Sequence, residues 1–253
     1  METATASSGT RARLALNRRY DHYFFSGMAI LMLCTVALGF AKTYYLAGLF
    51  RAPLPSWVIH VHGAAFSFWI LLFVTQTSLV AGHRVDLHRR LGLAAFGGSC
   101  LMVLLGVMAA TDLFLRGVVV DGVDPRTFYA GTILDIVIFA VLMLAAFSTR
   151  SVAPTHKRFA VLATISLMGP AIGRWPFPFI QENPKATDAV LYGFVLLLVA
   201  YDLLTLRKVH RATIMGAIFI IVVQKLELPV GRSNLWQNIA VWVEGLAKSL
   251  HGG

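Results

Sequence analysis

The chain has 253 residues, of which 57% are hydrophobic and only 13% are charged. A soluble domain carries about twice that charged fraction, so the composition excludes an ordinary water-soluble fold and indicates an integral membrane protein. The formal net charge of +10 does not indicate a nucleic-acid partner, because the basic residues fall in short runs beside apolar segments, as topology signals do. We therefore expect the lipid bilayer, and no nucleic acid, among its partners.

The first predicted element is a basic tail over residues 1–22. It has no cleavage site after a short apolar core, which predicts a cytoplasmic tail and no removed signal peptide. Seven apolar segments follow that are long enough, or nearly so, to span a bilayer. They cover residues 23–46, 57–81, 90–115, 128–148, 158–175, 188–206 and 211–230. The sequence thus predicts an all-α fold, an integral membrane bundle of about seven transmembrane helices over residues 23–230.

Two of these segments have features that predict how they pack. Small residues from Gly92 to Ala109 crowd the third segment, and small residues favour close helix contacts in lipid, so we expect it near the bundle centre. Pro170 lies inside the fifth segment, where it removes an intrahelical hydrogen bond and predicts a kink.

The last predicted element covers residues 231–253. Its apolar residues recur at helical spacing, as Leu235, Ile239, Trp242, Leu246 and Leu250. This spacing predicts an extracytoplasmic amphipathic helix that lies either on lipid headgroups or on the bundle itself.

The distribution of Lys and Arg predicts the orientation of the bundle. With the N-terminus inside, thirteen of the 22 basic residues face the inner side. They are Arg11, Arg13, Arg18, Arg19, Arg84, Arg89, Arg90, Arg150, Lys157, Arg158, Arg207, Lys208 and Arg211. We expect a multi-pass protein of a bacterial inner (plasma) membrane, with a cytoplasmic N-terminus and an extracytoplasmic C-terminus.

Histidines mark the predicted inner starts of four helices. They are His22, His88, His156 and His210. These side chains could simply extend to lipid phosphates and fix the depth of each helix. Alternatively, imidazoles at one level could bind a transition metal or haem b, with His88 and His156 as the best ligand pair. Asp202 or Gln76 would then hydrogen-bond to the liganding imidazoles, or Asp202 would simply pair with an inner arginine.

A second polar group is predicted near the outer ends of the helices. Asp135 lies about two turns into the fourth segment, where an unpaired carboxylate is costly. Its candidate partners are Arg174, Lys42 and Lys225. The same level also holds His60, His62, Asp112, Tyr44, Tyr45, Gln224 and Glu227. This set of polar residues predicts either structural ion pairs or a pocket for a polar headgroup, substrate or cofactor.

Three stretches of the chain resemble a family of bacterial inner-membrane proteins that has no assigned reaction. They are HVHGAAFSFWILLFVTQTSLVAGH, VDLHRRLGLAAF, and THKRFAVLATI followed by IGRWPF, within residues 20–180. The resemblance singles out His60, His88 and His156, with Arg174 as a fourth position. A looser similarity to haem-binding bundles of the cytochrome b type implies iron ligation by histidines of neighbouring helices.

Three hypotheses for function follow. The first is a redox protein that binds a metal or haem and acts on a quinone or an exported substrate. The second is a transporter, or a binder of lipids or small molecules, whose site contains Asp135, Arg174 and His60. The third is a non-catalytic subunit or assembly partner of a membrane complex. The chain has none of the motifs HExxH, GxSxG or the Walker sequence, so the sequence assigns no reaction.

Overall fold

The computed structural model of the protein is built from α-helices. It describes residues 2–53, 55–120 and 122–251, and the side chains between residues 20 and 249 with the exceptions of positions 54, 121 and 184. The basic side chains predicted for the tail at positions 11–19 lie outside the described residues. In chain order, the helices are α1 (Glu2–Phe40), α2 (Ala47–Phe50), α3 (Trp57–Ala81), α4 (Val85–Leu115), α5 (Pro125–Ser148), α6 (Ala153–Ser166), α7 (Gly169–Ile172), α8 (Pro178–Gln181), α9 (Pro184–Leu206), α10 (Arg211–Gly231) and α11 (Asn234–His251). A π-helical turn, Ala41–Tyr45, continues α1.

Six helical stretches of the described chain are long and apolar enough to cross a membrane. They are Tyr20–Tyr45, Trp57–Ala81, Val85–Leu115, Pro125–Ser148, Lys185–Leu206 and Arg211–Gly231. The chain is therefore an all-helical, multi-pass membrane protein, as the composition predicts. The fifth predicted segment, 158–175, does not form a seventh helix of this kind.

That segment is divided into α6 and α7, with a break at Leu167 and Met168. The cause is local, because Pro170 has no N–H to donate to the carbonyl of Ser166. The N–H of Leu167 donates to Thr164, three residues back instead of four, at 3.2 Å. The sequence predicts a kinked helix at this position, and the structure has two separate helices.

The centre of the bundle is α6, and not the third predicted segment. Leu162 and Ile165 of α6 have no exposed surface, whereas Leu104 of α4 is 57% exposed. A Cβ atom added at Gly97 or Gly98 of α4 would have no neighbour within 4 Å. Small residues therefore do not bring α4 into close contacts at Gly97 and Gly98, although a Cβ atom at Gly106 would lie 3.2 Å from Ile136 of α5. α6 is central because its second half, residues 161–166, is buried on every face.

A close approach joins α1 to α7 across a glycine. A Cβ atom on Gly39 would lie 2.1 Å from the carbonyl oxygen of Ala171, so no other residue fits there without a backbone shift. The indole N–H of Trp175 donates to the carbonyl of Thr35 at 3.3 Å and strengthens the same contact. This packing fixes the position of α7 beyond the break.

The start of α5 has a well-formed cap. The carboxylate of Asp124 accepts hydrogen bonds from the backbone N–H groups of Arg126 and Thr127 at 3.1 and 3.0 Å. Such bonds stabilise the first turn of a helix, and hydrogen bonding from Thr127 is the main cause that lowers the pKa of the Asp124 carboxyl. The cap holds Arg126 at the place where α11 attaches.

The C-terminal helix α11 is fastened to that end of the bundle. The guanidinium of Arg126 donates to both carboxylate oxygens of Glu244 at 3.2 and 3.1 Å. The indole N–H of Trp236 donates to the carbonyl of Arg126 at 2.8 Å, and Ala240 is fully buried. The predicted apolar stripe lies on another face and is exposed, at Leu235, Ile239, Trp242 and Leu246, while the side chain of Leu250 lies outside the described residues.

Candidate functional site

Polar side chains gather at the two ends of the bundle. We call one the histidine end, which holds His22, His88, His156 and His210. The other is the acidic end, and it contains the carboxylate cluster, defined as Asp135, Asp188 and Glu227. These carboxylates come from three different helices, α5, α9 and α10.

The three carboxyl groups are close enough for their charges to interact. Asp135 interacts with Asp188, and Glu227 interacts with both. All three belong to membrane-crossing stretches. Several like charges in a medium of low dielectric constant repel one another strongly, so a proton or another cation has to balance them.

A glycine makes room for the cluster between α5 and α10. Gly131 lies one turn before Asp135 on the same face of α5, and a Cβ atom there would be 3.1 Å from a carboxylate oxygen of Glu227. Gln224 lies one turn before Glu227 on α10 and therefore shares its face. The periodicity of the two helices thus brings Asp135 and Glu227 to one interface.

Several polar atoms near the cluster have no hydrogen-bond partner among the described residues. They are Oδ1 of Asp135, Oε1 of Gln224 and the hydroxyl of Tyr192, and all three atoms are buried. Buried polar atoms are normally paired, and one left unpaired costs about 1–3 kcal/mol. The side chain of Gln224 also lies within hydrogen-bonding reach of Asp135, and the oxygens that remain unpaired beside the three carboxylates favour a site for a cationic or hydrogen-bonding ligand.

Positive charge near the cluster is sparse. In the described part of the chain, no Lys, Arg or His lies within 4.0 Å of these three carboxylates. Lys225 interacts with Glu227 at longer range, and its ammonium lies 5.9 Å from the centre of the Tyr192 ring. The side chain of Lys225 is itself exposed, so the protein does not neutralise the cluster with a direct ion pair.

The predicted ion pair between Asp135 and Arg174 is not formed. The guanidinium of Arg174 donates to the carbonyl of Pro170 at 2.7 Å and lies 5.1 Å from the centre of the Phe40 ring. The break between α6 and α7 explains the difference, because it redirects the chain that leads to Arg174. Lys42 is also elsewhere, with its ammonium 5.8 Å from the centre of the Phe50 ring.

The other predicted members of the outer group have local contacts on α1, α3 and α4. Asp112 accepts from the hydroxyl of Ser56 at 2.9 Å and pairs with Arg116 at 2.7 Å. The ring of His60 lies 5.3 Å from that of Tyr44. The ring of His62 packs 4.1 Å from that of Phe66, with Nδ1 buried and without a hydrogen-bond partner in the described chain.

At the histidine end, a buried ion pair connects α6 to α9. The guanidinium of Arg158 donates through Nε and Nη2 to Oδ1 of Asp202, with an Nε distance of 2.9 Å. Both side chains are almost completely buried. The second carboxylate oxygen of Asp202 accepts from the hydroxyl of Thr213 at 2.6 Å and from the backbone N–H of His210 at 3.0 Å. Asp202 therefore joins three helices and pairs with an inner arginine, which is one of its two predicted roles. None of these hydrogen bonds involves an imidazole nitrogen, so the other predicted role, beside a histidine ligand, is not seen.

A second ion pair at this end connects α6 to α1. The ammonium of Lys157 lies 2.6 Å from Oδ2 of Asp21, and the hydroxyl of Tyr201 donates to Oδ1 of the same carboxylate. Lys157 also lies 4.7 Å from the centre of the Phe25 ring. The contacts place α1, α6 and α9 around one another at the histidine end.

The four predicted histidines do not converge on one point. His88 and His156 lie together, with ring centres 6.2 Å apart, whereas His22 pairs with His83 at 5.7 Å. His210 caps α10 by accepting from the N–H of Ala212 at 3.1 Å. His22 also differs from the prediction in position, because it lies inside α1 and not at a helix start.

The His88 and His156 pair is held by hydrogen bonds on both sides. The amide of Gln76, with its nitrogen turned toward His88, donates to Nδ1 at 2.7 Å. Nδ1 of His156 lies 2.8 Å from the carbonyl of Ala146. Among the described residues, no group of three or more His, Cys, Asp or Glu side chains is arranged to hold a metal ion. Because Nδ1 of His88 accepts from Gln76, the proton of its neutral ring lies on Nε2, so His88 can bind a metal ion only if the Gln76 amide turns its oxygen toward Nδ1.

Sequence reasoning missed Asp188 and Tyr192, which bring α9 into the carboxylate cluster. Asp188 lies in the second turn of its helix, and an acidic residue near a helix N-terminus needs no further explanation, because it interacts favourably with the helix dipole. The spacing of Asp188 and Tyr192, four residues apart, places them on one face. The spacing does not indicate which neighbouring helix this face contacts.

Comparison with known proteins finds no relative of this chain. No family model matches the chain, and no curated protein or solved structure matches it either. The class that the geometry defines is a multi-pass α-helical membrane protein with a carboxylate cluster between three helices.

Proposed function

We propose that this protein is a proton-coupled carrier of a small cationic solute in a bacterial inner membrane. The observation that carries the proposal is the carboxylate cluster, with three acidic side chains from three helices within a bilayer-spanning region and without a direct ion pair among the described residues. Ionisable residues at such depth are expensive and mark ion or proton pathways in membrane proteins. A cluster that holds either a proton or a cation can exchange one for the other.

The atoms around the cluster fit this exchange. Oδ1 of Asp135 and Oε1 of Gln224 are acceptors for an ammonium group, and the hydroxyl of Tyr192 can donate to a carboxylate. Asp188 is exposed, so it offers a first contact for a cation that approaches the buried oxygen of Asp135. His60 and Arg174, the other residues of the predicted site, contact Tyr44, the carbonyl of Pro170 and the Phe40 ring, and not the cluster.

The break between α6 and α7 supports a carrier function because it provides a hinge near the carboxylate cluster. A Cβ atom at Gly169 in α7 would lie 3.9 Å from Leu191 of α9, and one at Gly173 would lie 3.7 Å from the hydroxyl of Thr187. Thr187 directly precedes Asp188. Helices interrupted within the membrane are a recurrent feature of secondary transporters, where the interruption lies near the binding site.

The topology of the carrier follows if α6 and α7 are counted together as the seventh crossing. The N-terminus and the histidine end are then cytoplasmic, and the acidic end and the C-terminus are extracytoplasmic, in agreement with the distribution of Lys and Arg. We place α11 on the outer surface with Leu235, Trp242 and Leu246 toward lipid headgroups, since these side chains are exposed and the opposite face is fastened to the bundle.

Carbodiimide labelling tests whether the cluster holds a proton. Dicyclohexylcarbodiimide is apolar and reacts with protonated carboxyl groups, so we expect it to modify Asp135 or Glu227 in the folded protein at neutral pH. Labelling should decrease as the pH rises, because the deprotonated carboxylate does not react. Peptide mass spectrometry locates the adduct, and Asp86 serves as an internal control because its side chain is 67% exposed.

Proton movement in proteoliposomes tests the carrier itself. With a pH-sensitive dye inside the vesicles, we expect at least one member of a panel of primary and quaternary amines to drive proton movement through the unsubstituted protein. Asp135→Asn should abolish this movement, while Asp112→Asn should retain it, because Asp112 is paired with Arg116. Labelling of Asp135 and Glu227 no greater than that of Asp86, together with amine-driven flux in Asp135→Asn, would refute the proposal.

A second candidate function, a redox or metal protein, is favoured by the His88 and His156 pair. Two imidazoles with centres 6.2 Å apart are close enough to share one metal ion, given metal–nitrogen distances of about 2.0–2.1 Å, and the Gln76 amide would then turn its oxygen toward Nδ1 of His88 to leave Nε2 free. For a transition metal the remaining ligands would be water or substrate. For haem b, His88 and His156 would be the residues that hold the iron, and a quinone would be the electron partner.

Elemental analysis and an absorption spectrum before and after dithionite test this second candidate. The expected result is a Soret band or about one metal ion per chain in the purified protein, lost in His88→Ala and retained in His83→Ala. A colourless, metal-free protein that is folded would exclude the redox function. The protein would then remain a carrier or, if the carrier tests also fail, a non-catalytic subunit of a membrane complex.

A further inference from the structure

A cavity of about 750 Å³ lies at the histidine end, away from the carboxylate cluster. It lies between the end of α5, the first turns of α6 and the link from α9 to α10. Thr149 and Thr155 line one side, and Lys208, His210 and Arg211 line the other. Neither the carrier nor the metal candidate uses this space.

The charge of the cavity lining is positive. Lys208 and Arg211 contribute cationic groups, and no Asp or Glu is among the residues that line it. Asp202 is close to His210, but its oxygens are already occupied by Arg158, Thr213 and the backbone N–H of His210. The two cationic side chains are both exposed, and neither forms a salt bridge in the described chain, so they are available to an anion.

Apart from the two threonines and His210, the uncharged part of the lining is apolar. Phe159 is buried, and Met215 is 64% exposed. Met215 lies one turn inside the membrane-crossing stretch Arg211–Gly231, so an apolar chain beside it would extend into lipid. A site with cationic groups at the membrane surface and an apolar wall below suits an anionic amphiphile.

The N-terminus of α10 contributes little to anion binding, so the positive charge of the cavity comes from side chains. The first N–H groups at the start of α10 are already bonded, that of His210 to Asp202 and that of Ala212 to Nδ1 of His210. Burial, followed by the charge of Arg158, lowers the pKa of His210, which leaves Lys208 and Arg211 as the groups that hold an anion at neutral pH.

We propose that this cavity binds the phosphate of an anionic phospholipid, with the phosphate between Lys208 and Arg211 and an acyl chain beside Met215. The site recognises a phosphate anion, and inorganic phosphate in solution carries the same group as the lipid. The apolar wall favours the lipid, because free phosphate gains nothing from Phe159 and Met215. The proposal is independent of transport and of metal binding.

Lipid titration of the purified protein in detergent tests the proposal. Bound lipid is counted by native mass spectrometry with phosphatidylglycerol, with phosphatidylcholine of the same chains, and with inorganic phosphate as a competitor. A basic residue near a lipid surface contributes roughly fivefold to anionic lipid binding, so Lys208→Gln with Arg211→Gln should weaken phosphatidylglycerol binding roughly 25-fold. The matched control, Arg89→Gln with Arg90→Gln, removes two exposed basic residues of the same end that lie outside the cavity and form no salt bridge in the described chain, and it should bind as the unsubstituted protein does.

The outcomes separate the sources of the phosphate. A loss of phosphatidylglycerol binding confined to the cavity variant supports the lipid, and competition by millimolar inorganic phosphate would identify a site for the free anion as well. Equal losses in both variants, or equal binding of phosphatidylcholine and phosphatidylglycerol, would overturn the proposal. If the double variant does not fold, the single variant Lys208→Glu, at an exposed position in the link, provides the same test.

Discussion

Asp202→Ala will lower the free energy of unfolding by about 3–5 kcal/mol. The substitution leaves the guanidinium of Arg158 buried without its counter-ion, and it also removes the acceptor used by Thr213 and by the N–H of His210. Thermal unfolding in detergent micelles, followed by circular dichroism, measures the loss. Asp86→Ala is the matched control, because its ion pair with Arg84 is 3.7 Å long and largely exposed, and we expect little change there.

A double substitution distinguishes the charge from the hydrogen bonds. Asp202→Asn keeps an acceptor for Thr213 but leaves Arg158 unpaired, so it should remain strongly destabilised. Adding Arg158→Met removes the buried charge and should restore much of the stability, because an apolar side chain often replaces a buried ion pair at little cost. If the double variant is less stable than Asp202→Asn alone, the buried charge is not the cause of the loss.

Gly39→Ala is the second substitution with a large expected effect. The added Cβ would lie 2.1 Å from the carbonyl oxygen and 2.9 Å from the Cα of Ala171, and both atoms belong to the backbone. Since rotating a side chain cannot relieve this overlap, α1 has to move away from α7, at a cost of about 1–3 kcal/mol or more. The midpoint of thermal unfolding in detergent should fall accordingly.

Gly27→Ala provides the control on the same helix. Its added Cβ would have no neighbour within 4 Å, and alanine is the better helix former, so the protein should be unchanged or slightly more stable. A comparable loss in both variants would show that the helix backbone, and not the contact with α7, determines the effect. Retained stability in Gly39→Ala would mean that α7 does not pack on α1 as described.

The carrier hypothesis links this packing to function. The contact at Gly39 fixes α7, which lies beyond the break and beside α9, the helix that carries Asp188. A change that displaces α7 should therefore affect the carboxylate cluster as well as stability. Measuring carbodiimide labelling of Asp135 in Gly39→Ala connects the two observations in one protein.

Several features of the fold could be predicted from sequence because they depend only on local chemistry. Long apolar runs specify helices in a membrane, since every backbone polar group must be paired within the segment. The position of the irregularity in the fifth segment follows from Pro170, whose missing N–H acts within one turn. Whether the result is a kink or a break depends on the packing around the segment, which the sequence alone does not indicate.

The candidate sites were predicted less well, because the rotation and neighbours of a helix decide which residues meet. His88 and His156 were predicted as a pair and lie together in the structure, although their role as ligands stays a prediction. Arg174 was assigned to Asp135 from their shared level in the membrane, yet the helices point these side chains to different neighbours. The sequence predicts how deep a residue lies along the membrane normal. Whether two side chains touch also depends on their positions in the plane of the membrane.

The sequence by itself determined that this is a helical membrane protein, with the approximate positions of its spans and of the proline that interrupts the fifth. Only the tertiary structure decided that α6 is central, that Asp202 is paired with Arg158, and that Asp135 and Glu227 share an interface with Asp188. The physical reason is that apolar length and proline chemistry act within one segment, whereas ion pairing and charge clustering depend on the packing of separate helices. That packing is set at positions such as Gly39 and Gly131, where the absence of a side chain allows two helices to approach.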